Sequence, residues 1–305
     1  MNTALKKLLY RILGISSTPK GAYNFRINGI NEGRAEFGGI QIINKCDKPG
    51  LNIIVEPGVK GEVIHIPVLI DRSGFSDLVY NDFHIGENCD IKIIAGCGIH
   101  NDGVHATQHS GIHTFYIGKG SNVKYDEKHY GQGSGRGDKV LNPKTVIYLE
   151  EGGRMEMNSV QIEGVDETER ITKAVLAEDA SLITKELILT SGIQSARTDF
   201  KIELNGKNSS VSLVSRSVAK DKSKQYFYSV INGNNKCKGY SACDAIIMDQ
   251  AMVKAVPDVT AKHVDAELIH EAAIGKIAGE QIIKLMSLGL SYEEAEEKIV
   301  AAFLS

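Results

Sequence analysis

Short alternations of apolar and polar residues dominate the chain from about residue 60 to residue 245. Small polar or glycine clusters separate them, for example at residues 87–90 and 118–122. A period of two is typical of half-buried β-strands, and turn-forming residues between alternating runs mark the strand ends. The pattern therefore predicts a mainly β protein in this region.

One apolar residue from each alternating run recurs at nearly constant steps of 28, 32, 32, 27 and 29 residues. Repeats of this length, without helices between the strands, predict a right-handed parallel β-helix whose coils stack about 4.8 Å apart. A β-sandwich also has evenly spaced strands, and the pattern leaves that alternative open. The recurring residues are Val63, Ile91, Val123, Met155, Leu182 and Val211.

Helical spacing appears only at the two ends of the chain. Near the N-terminus, an apolar stripe predicts an amphipathic helix over residues 3–13 that ends at Gly14. We expect this helix to pack on its own domain, with docking to a membrane or a partner as the alternative. The stripe consists of Leu5, Leu8, Leu9, Ile12 and Leu13.

The C-terminal segment predicts two short helices. The first ends at Gly289, and the second begins at a capping box of Ser291 and Glu294. The two helices cap the solenoid or dock a partner. The predicted division is an N-terminal helix at 1–20, a β-helix core at 21–268 and a helical segment at 269–305. The first helix has an apolar face of Ile282, Ile283, Leu285 and Met286.

Composition narrows the class of protein. The 305 residues carry a formal net charge of −3, so no strong basic field is available to attract nucleic acid. The five cysteines include no C-x-x-C pair, which argues against a disulfide framework or a zinc ribbon and favours a reducing, cytoplasmic setting. No run of 18 apolar residues occurs, so we expect no stable membrane insertion.

A histidine-rich stretch follows Cys97. Three of its histidines, His105, His109 and His113, share one face of an extended strand, but neighbours four residues apart are separated by roughly 13 Å. One ion cannot bridge that distance, so we favour hydrogen-bonded histidines on a solenoid face over a metal site. A metal site here would need a fold-back of the chain or a neighbouring coil.

The glycine-rich segment 131–139 does not match a phosphate-binding loop. That motif places serine or threonine after its lysine, whereas Val140 follows Lys139. We therefore expect no nucleotide site in this chain and no enzymatic activity of its own. Any ATP-driven step would come from another protein.

The strongest candidate for chemistry lies where the predicted solenoid ends. Cys243 is followed, about one repeat later, by His270 and Glu271, and thiolate, imidazole and carboxylate together suit iron. Ile274 replaces the second histidine of the zinc-protease motif, which excludes that class. One cysteine cannot supply the four thiolates of an ordinary iron–sulfur cluster, whereas two copies across a two-fold axis supply two of each ligand.

Residues 87–305 resemble the SufB/SufD family of iron–sulfur cluster assembly proteins. The resemblance is strongest from Cys243-Asp244 through HEAAIGKIAGEQIIKLMSLGLSYEEAEEKIVAAFL, which begins at His270. Upstream, LNPKTVIYLEEGG, LTSGIQSARTD and LNGKNSSVSLVSRSVA resemble successive β-helix coils of the family. Within the family the chain resembles SufB more closely than SufD, because SufD-type members lack the cluster cysteine.

The resemblance implies a scaffold for an iron–sulfur cluster, with a SufC-type ATPase docked on the C-terminal helices. Carried over by residue, Cys243 matches the cluster cysteine, His270 and Glu271 match the nearby histidine and glutamate, and Cys97 matches the cysteine that receives sulfur as a persulfide. A sulfur donor and apo iron–sulfur recipient proteins follow as partners. Since only the helix over residues 3–13 precedes the core, we expect a compact form that acts as a homodimer.

Two alternatives remain at this point. In the first alternative, the chain is a cluster-free, SufD-like structural partner of the ATPase. In the second, it is a carbohydrate-active β-helix enzyme that uses Tyr130, Asp126 and the histidine group. The absence of tryptophan and an aromatic content of 6% argue against a sugar-binding groove. Iron in the purified protein would separate the cluster scaffold from the cluster-free partner.

Overall fold

A computed structural model describes residues 3–15 and 19–305. The chain folds into a parallel β-helix with one helix at its N-terminus and two at its C-terminus. The predicted mainly β, parallel β-helix fold is therefore confirmed.

Two ten-stranded sheets form opposite walls of the solenoid. The first sheet contains, in spatial order, β2 (Ile30–Ala35), β1 (Ala22–Ile27), β5 (Lys60–Ile70), β7 (Asp90–His100), β9 (Asn122–Gln132), β12 (Arg154–Glu163), β14 (Ser181–Thr190), β16 (Ser209–Ala219), β18 (Cys237–Ile247) and β20 (Ala266–Gly275). The second contains β3 (Ile40–Asn44), β4 (Gly50–Val55), β6 (Ser76–Ile85), β8 (Thr107–Ile117), β10 (Lys139–Leu141) with β11 (Lys144–Leu149), β13 (Glu167–Leu176), β15 (Ser195–Leu204), β17 (Lys224–Gly233) and β19 (Met252–Ala261).

The repeat predicted from the sequence corresponds to the register of the first sheet. Ile91, Val123, Met155 and Leu182 are direct partners from one strand to the next, and Leu182 pairs in turn with Val211. Val63 lies one residue out of this row. The pairing of β5 with β7 shifts between Lys60 and Glu62, so Glu62 is the residue that meets Ile91.

The interior is filled by the inward-facing residues of both walls. Phe83 and Phe115 lie on neighbouring coils with parallel rings whose centroids are 4.4 Å apart. Tyr125 packs its ring edge against Phe115 from the opposite wall. Stacked coils thus align similar side chains into rows, and these rows form one continuous apolar core.

The N-terminal helix α1 (Thr3–Leu13) packs on the outer face of β5, β7 and β9. Its entire apolar stripe is buried, which confirms packing on its own domain. Gly96 and Gly98 make the close approach possible, because a Cβ atom at either position would lie within about 3 Å of Ile12 or Leu8. No helix in the described part of the chain is both long and apolar enough to span a bilayer.

The two ends of the solenoid differ. At the N-terminal end, β1–β2 and β3–β4 are antiparallel hairpins. Arg34 donates to the carbonyl of Ile42, and the amide of Ile42 donates to Glu36, so side chains of one hairpin occupy the edge of the other. At the C-terminal end, β19 and β20 are the last strands of their sheets within residues 19–305, and their outer edges are unpaired there.

The C-terminal helices α2 (Gly279–Ser287) and α3 (Tyr292–Phe303) lie beside the solenoid. The predicted capping box forms, since Ser291 and Glu294 bond reciprocally. Lys220 ties α3 to the core through an ion pair of 3.3 Å with Glu296. The boundary predicted between residues 268 and 269 falls inside β20, because the strand continues to Gly275.

Candidate functional site

Cys243 lies on β18, the last strand but one of the first sheet. Its direct neighbours are Ser215 on β16 and Ala272 on β20. The side chain is 1% exposed and belongs to the apolar core of the solenoid. One strand therefore separates this thiol from the open end.

The thiol of Cys243 is protonated at neutral pH. Burial raises its pKa to about 12, and the nearby carboxylates of Glu186 and Asp244 act in the same direction. A thiolate is the form that binds metal, so iron binding at Cys243 must displace this proton. The affinity of Cys243 for iron should therefore increase as the pH rises.

His270 shares the inward face with Cys243. It pairs with Ser241, two residues before the Ala272–Cys243 pair, so its Cα lies one diagonal step, about 8 Å, from that of Cys243. Its Nδ1 atom is buried and has no hydrogen-bond partner, and burial lowers the pKa of the ring. A neutral imidazole with an unpartnered nitrogen suits a metal ligand.

Glu271 lies on the other face of β20. Side chains alternate along a strand, so the neighbour of an inward-facing histidine points outwards. The exposed carboxylate accepts a hydrogen bond of 2.8 Å from the hydroxyl of Tyr240. The three residues grouped by the sequence therefore occupy two faces of the sheet.

Within its described residues, one chain does not bring a complete set of metal ligands together. Across residues 3–15 and 19–305, no three histidine, cysteine, aspartate or glutamate side chains are arranged to hold an ion. The ligands predicted from the sequence thus remain predictions, and Cys243 and His270 are the two that share a face.

Glu186 is a buried carboxylate near Cys243 that the sequence analysis did not identify. Glu186 accepts hydrogen bonds from Thr198 at 2.9 Å and from Ser215 at 2.8 Å. The guanidinium of Arg170 lies 3.4 Å away. Burial raises the pKa of Glu186, although these three neighbours favour its ionised form.

The polar contacts continue through the interior. Arg170 forms an ion pair with Glu127 and donates to Nδ1 of His129 at 3.0 Å. Burial opposes ionisation of Glu127, but Arg170 overcomes it and holds the pKa of that carboxyl at about 2. Tyr125 donates to Glu127 at 2.9 Å, and its oxygen lies 2.9 Å from Nδ1 of His113. We call Glu127, Arg170, Glu186, His129, Tyr125 and His113 the interior polar chain.

Cys97 lies at the other end of the interior polar chain. It is 1% exposed and pairs directly with His129. Burial raises its pKa well above the usual range for a thiol, and Asp77 adds to the effect. Five strand spacings in the first sheet, about 24 Å, separate Cys97 from Cys243. The two cysteines thus flank one buried polar path.

The histidine-rich stretch is hydrogen-bonded, as favoured from the sequence. His109 lies 3.1 Å from Asp77, and His113 contacts Tyr125 and Asn81. His105 is exposed and lies outside this group. Inward-facing polar residues at alternate strand positions were the sequence signal for this network, but only a known register identifies which residues face inwards.

The residues suggested for carbohydrate chemistry take part in structural contacts. Tyr130 is covered by α1, with the Arg11 guanidinium 5.6 Å from its ring centre. Asp126 forms an ion pair of 2.7 Å with Lys92. These contacts do not favour a sugar-binding groove at this face.

Comparison with known proteins identifies the family of the chain. A family model described as "SUF system FeS cluster assembly, SufBD core domain" matches residues 76–303, which include Cys97, Cys243 and His270.

Three relatives carry the name "Iron-sulfur cluster assembly SufBD family protein". The chain is 30% identical to one from Archaeoglobus fulgidus over 81% of this chain and 66% of the relative. It is 31% identical to one from Methanothermobacter thermautotrophicus over 72% and 53%, and 28% identical to one from Methanocaldococcus jannaschii over 90% and 84%. The aligned part thus spans slightly less than two thirds of the first relative and about half of the second. On these matches, the chain belongs to the SufBD family of iron–sulfur cluster assembly proteins.

Proposed function

We propose that this chain is a scaffold subunit on which an iron–sulfur cluster is assembled and from which it is passed on, with the cluster bound between two copies. One observation carries the proposal. Cys243 and His270 lie on the last two strands of the first sheet, next to a solenoid end whose outer strand edges are unpaired in the described chain.

The surface of this end supports contact with a second copy. Val259 on β19 and Ile269 on β20 are 42% and 54% exposed, and the outer edges of both strands offer unpaired backbone groups. Unpaired strand edges and exposed apolar side chains favour association with another strand. A two-fold contact here brings both copies of Cys243 and His270 towards one seam.

A shared site of this kind has a mixed ligand set. Two thiolates, two imidazoles and the carboxylates of Glu271 replace the four thiolates of an ordinary cluster. Glu271 must turn away from Tyr240 to take part, and its solvent exposure permits this. We expect such a set to hold a cluster less tightly than four thiolates do, which suits transfer to an apo recipient protein.

We propose that a SufC-type ATPase docks on α2 and α3. Ile282 is buried, whereas Ile283 and Met286 on the same helix are 67% and 42% exposed. These residues line a groove of about 770 Å³ between the helices and the end of β18. An apolar face of this kind is typical of a protein-binding surface.

Cys97 is proposed as the residue that receives sulfur from a donor protein. About 24 Å separates it from Cys243, so direct persulfide exchange between the two thiols is impossible. Release of this sulfur from the Cys97 persulfide would need two electrons from an external thiol pair, which is oxidised to a disulfide and leaves the free Cys97 thiol and sulfide, and the sulfide would then travel to Cys243. The interior polar chain supports this route, because it provides hydrogen-bond donors along the buried path.

A cluster-free, SufD-like role is the second candidate. It is favoured by the high pKa of Cys243 and by the incomplete metal site of the single chain. Iron content and molar mass, measured on the same anaerobic sample, separate the two functions.

The decisive experiment is anaerobic reconstitution of the full chain with ferrous iron and sulfide. We expect Cys243→Ala to lose most of the bound iron, while Cys46→Ala, at an exposed cysteine, serves as the matched control and keeps it. Equal iron and sulfide in the Cys243→Ala variant and the parent would show that Cys243 is not a ligand. Absence of iron from the parent would favour the cluster-free role.

A further inference from the structure

A polar pocket lies at the N-terminal end of the solenoid, opposite the end that carries Cys243. It has a volume of about 300 Å³ and is lined by residues of the β1–β2 and β3–β4 hairpins, which are Asn24, Arg26, Gly29, Asn31, Arg34, Asn44, Lys45, Lys48, Pro49, Gly50 and Leu51. This part of the chain lies outside residues 76–303, which match the family model. Assembly of a cluster near Cys243 gives this pocket no role.

The pocket is positively charged. Arg26, Arg34, Lys45 and Lys48 line it, and no aspartate or glutamate does so among the described residues. Asp77 and Asp82 pair with Arg26 and Lys45 and compensate their charges, so Arg34 and Lys48 supply the positive charge of the pocket. The field in the pocket therefore favours a negatively charged ligand.

Arg34 provides a fixed charge that no described carboxylate neutralises. Its guanidinium donates to the side chain of Asn24 at 2.8 Å, the carbonyl of Ile42 at 3.1 Å and the side chain of Asn44 at 2.5 Å. All three acceptors are neutral, so the positive charge remains. These bonds hold the guanidinium in place, which reduces the entropy lost when it meets a ligand.

Asn24 indicates that the ligand must offer a hydrogen-bond acceptor. Its side chain is 2% exposed and lines the pocket, and its Oδ1 accepts the bond from Arg34. The remaining amide group, Nδ2, has no acceptor in the described chain. This amide group is therefore a neutral donor that is available to an oxygen of a bound anion.

Lys48 lies beside the opening of the pocket. Its ammonium group is 4.7 Å from the centre of the Tyr80 ring, and its side chain is 40% exposed. Its contact with the carboxylate of Asp47 is long, at 3.9 Å. The ammonium group is therefore able to contact a ligand without giving up a buried ion pair.

We propose that this pocket binds a small oxyanion of the phosphate class, either inorganic phosphate or the phosphate group of a small metabolite. Arginine and lysine with neutral amide donors are the groups that recognise phosphate oxygens. The volume accommodates one small phosphorylated molecule. The same chemistry serves both sources, so the test compares them directly.

The test is isothermal titration calorimetry of the full chain with inorganic phosphate, pyrophosphate and adenosine monophosphate in a chloride buffer. Asn24→Asp keeps an acceptor for Arg34 but replaces the free amide donor by a negative charge. Lys48→Gln removes the charge beside the opening. Lys60→Gln, at an exposed lysine outside the pocket, is the matched control.

We expect one saturable site in the parent and in Lys60→Gln. Lys48→Gln should weaken binding about tenfold, and Asn24→Asp should abolish it while the thermal midpoint stays at or above that of the parent. Tighter binding of adenosine monophosphate than of phosphate assigns the site to a metabolite, and the reverse assigns it to the free ion. No saturable binding to the parent, or equal binding to Asn24→Asp, overturns the proposal. The cluster content of Asn24→Asp should be unchanged, so this test is independent of the scaffold function.

Discussion

Cys243 and His270 lie on the inward face of neighbouring strands, one diagonal step and about 8 Å apart at their Cα atoms. Glu271 is adjacent to His270 in sequence but bonds to Tyr240 on the opposite face. The thiol and the imidazole therefore form the inner half of the proposed site, and the carboxylate belongs to its rim.

This relationship predicts an order of effects on cluster retention. His270→Gln should lower the iron retained after anaerobic gel filtration by more than half, because it removes a neutral ring with an unpartnered Nδ1. Glu271→Gln should have a smaller effect, and Tyr240→Phe, which only releases Glu271, should retain as much iron as the parent. If Glu271→Gln loses more iron than His270→Gln, the assignment of inner and rim ligands is wrong.

The edge strands predict how two copies associate. Val259→Lys combined with Ile269→Lys should halve the molar mass measured by light scattering, because charge at both edge strands opposes pairing. Both side chains are exposed, so the thermal midpoint of the single chain should change little. Ile193→Lys, at a position that is 89% exposed on a turn, is the control and should leave the molar mass unchanged. A dimer that persists in the double variant would exclude this end as the contact.

The buried histidines predict the pH dependence of stability. Burial lowers the pKa of His113 to about 4 and that of His129 to about 3, so both rings are neutral in the folded chain at pH 5. The unfolded chain binds protons at these rings below about pH 6.5. Because the unfolded state binds more protons there, the free energy of unfolding should fall as the pH is lowered from 6.5 towards 4.

Each of these two rings contributes a slope of at most about 1.4 kcal/mol per pH unit in that window. Urea unfolding of His113→Gln at pH 7, 6, 5 and 4 should show a slope lower by about that amount. His263→Gln, at an exposed histidine, should retain the slope of the parent. A His113→Gln slope equal to that of the parent would mean that the folded chain protonates His113 as readily as the unfolded chain.

Arg170 predicts the largest loss of stability in the interior. Its charge compensates both Glu127 and Glu186, which are 2% exposed, so Arg170→Met leaves two buried carboxylates without their cation. We expect a loss of about 3–5 kcal/mol in the free energy of unfolding, measured in urea. The control is Arg197→Met, which removes a half-exposed ion pair with Asp199 and should cost about 1 kcal/mol or less. A loss of less than 1 kcal/mol at Arg170 would contradict the compensating role.

Much of the fold could be predicted because the coils repeat. The constant interval between Ile91, Val123 and Met155 corresponds to one full coil, so apolar spacing alone gives the register. Val63 deviates because the strand pairing shifts beside it, and apolar spacing does not reveal such a shift. The capping box at Ser291 and Glu294 was also predictable, since it depends on residues only three positions apart.

The site was less predictable. Sequence proximity grouped Glu271 with His270, although strand alternation separates the two. The sequence did not identify Glu186 and Arg170 as site residues, because the partners of both side chains lie on other coils. In our proposal, the remaining cluster ligands belong to a second copy. The arrangement of two copies cannot be predicted from the sequence of one.

The unlike ends of the solenoid have a consequence for assembly. At one end, Arg34 and Glu36 of one hairpin bond to the backbone groups of Ile42 in the middle of β3, which hinders addition of a strand at that edge. Stacking in which each copy adds to the last, as in a fibril, requires both ends to accept a strand, and among the described residues these contacts obstruct the β3 edge. In our proposal, association through the C-terminal end alone stops at two copies, because a two-fold contact uses that end of both.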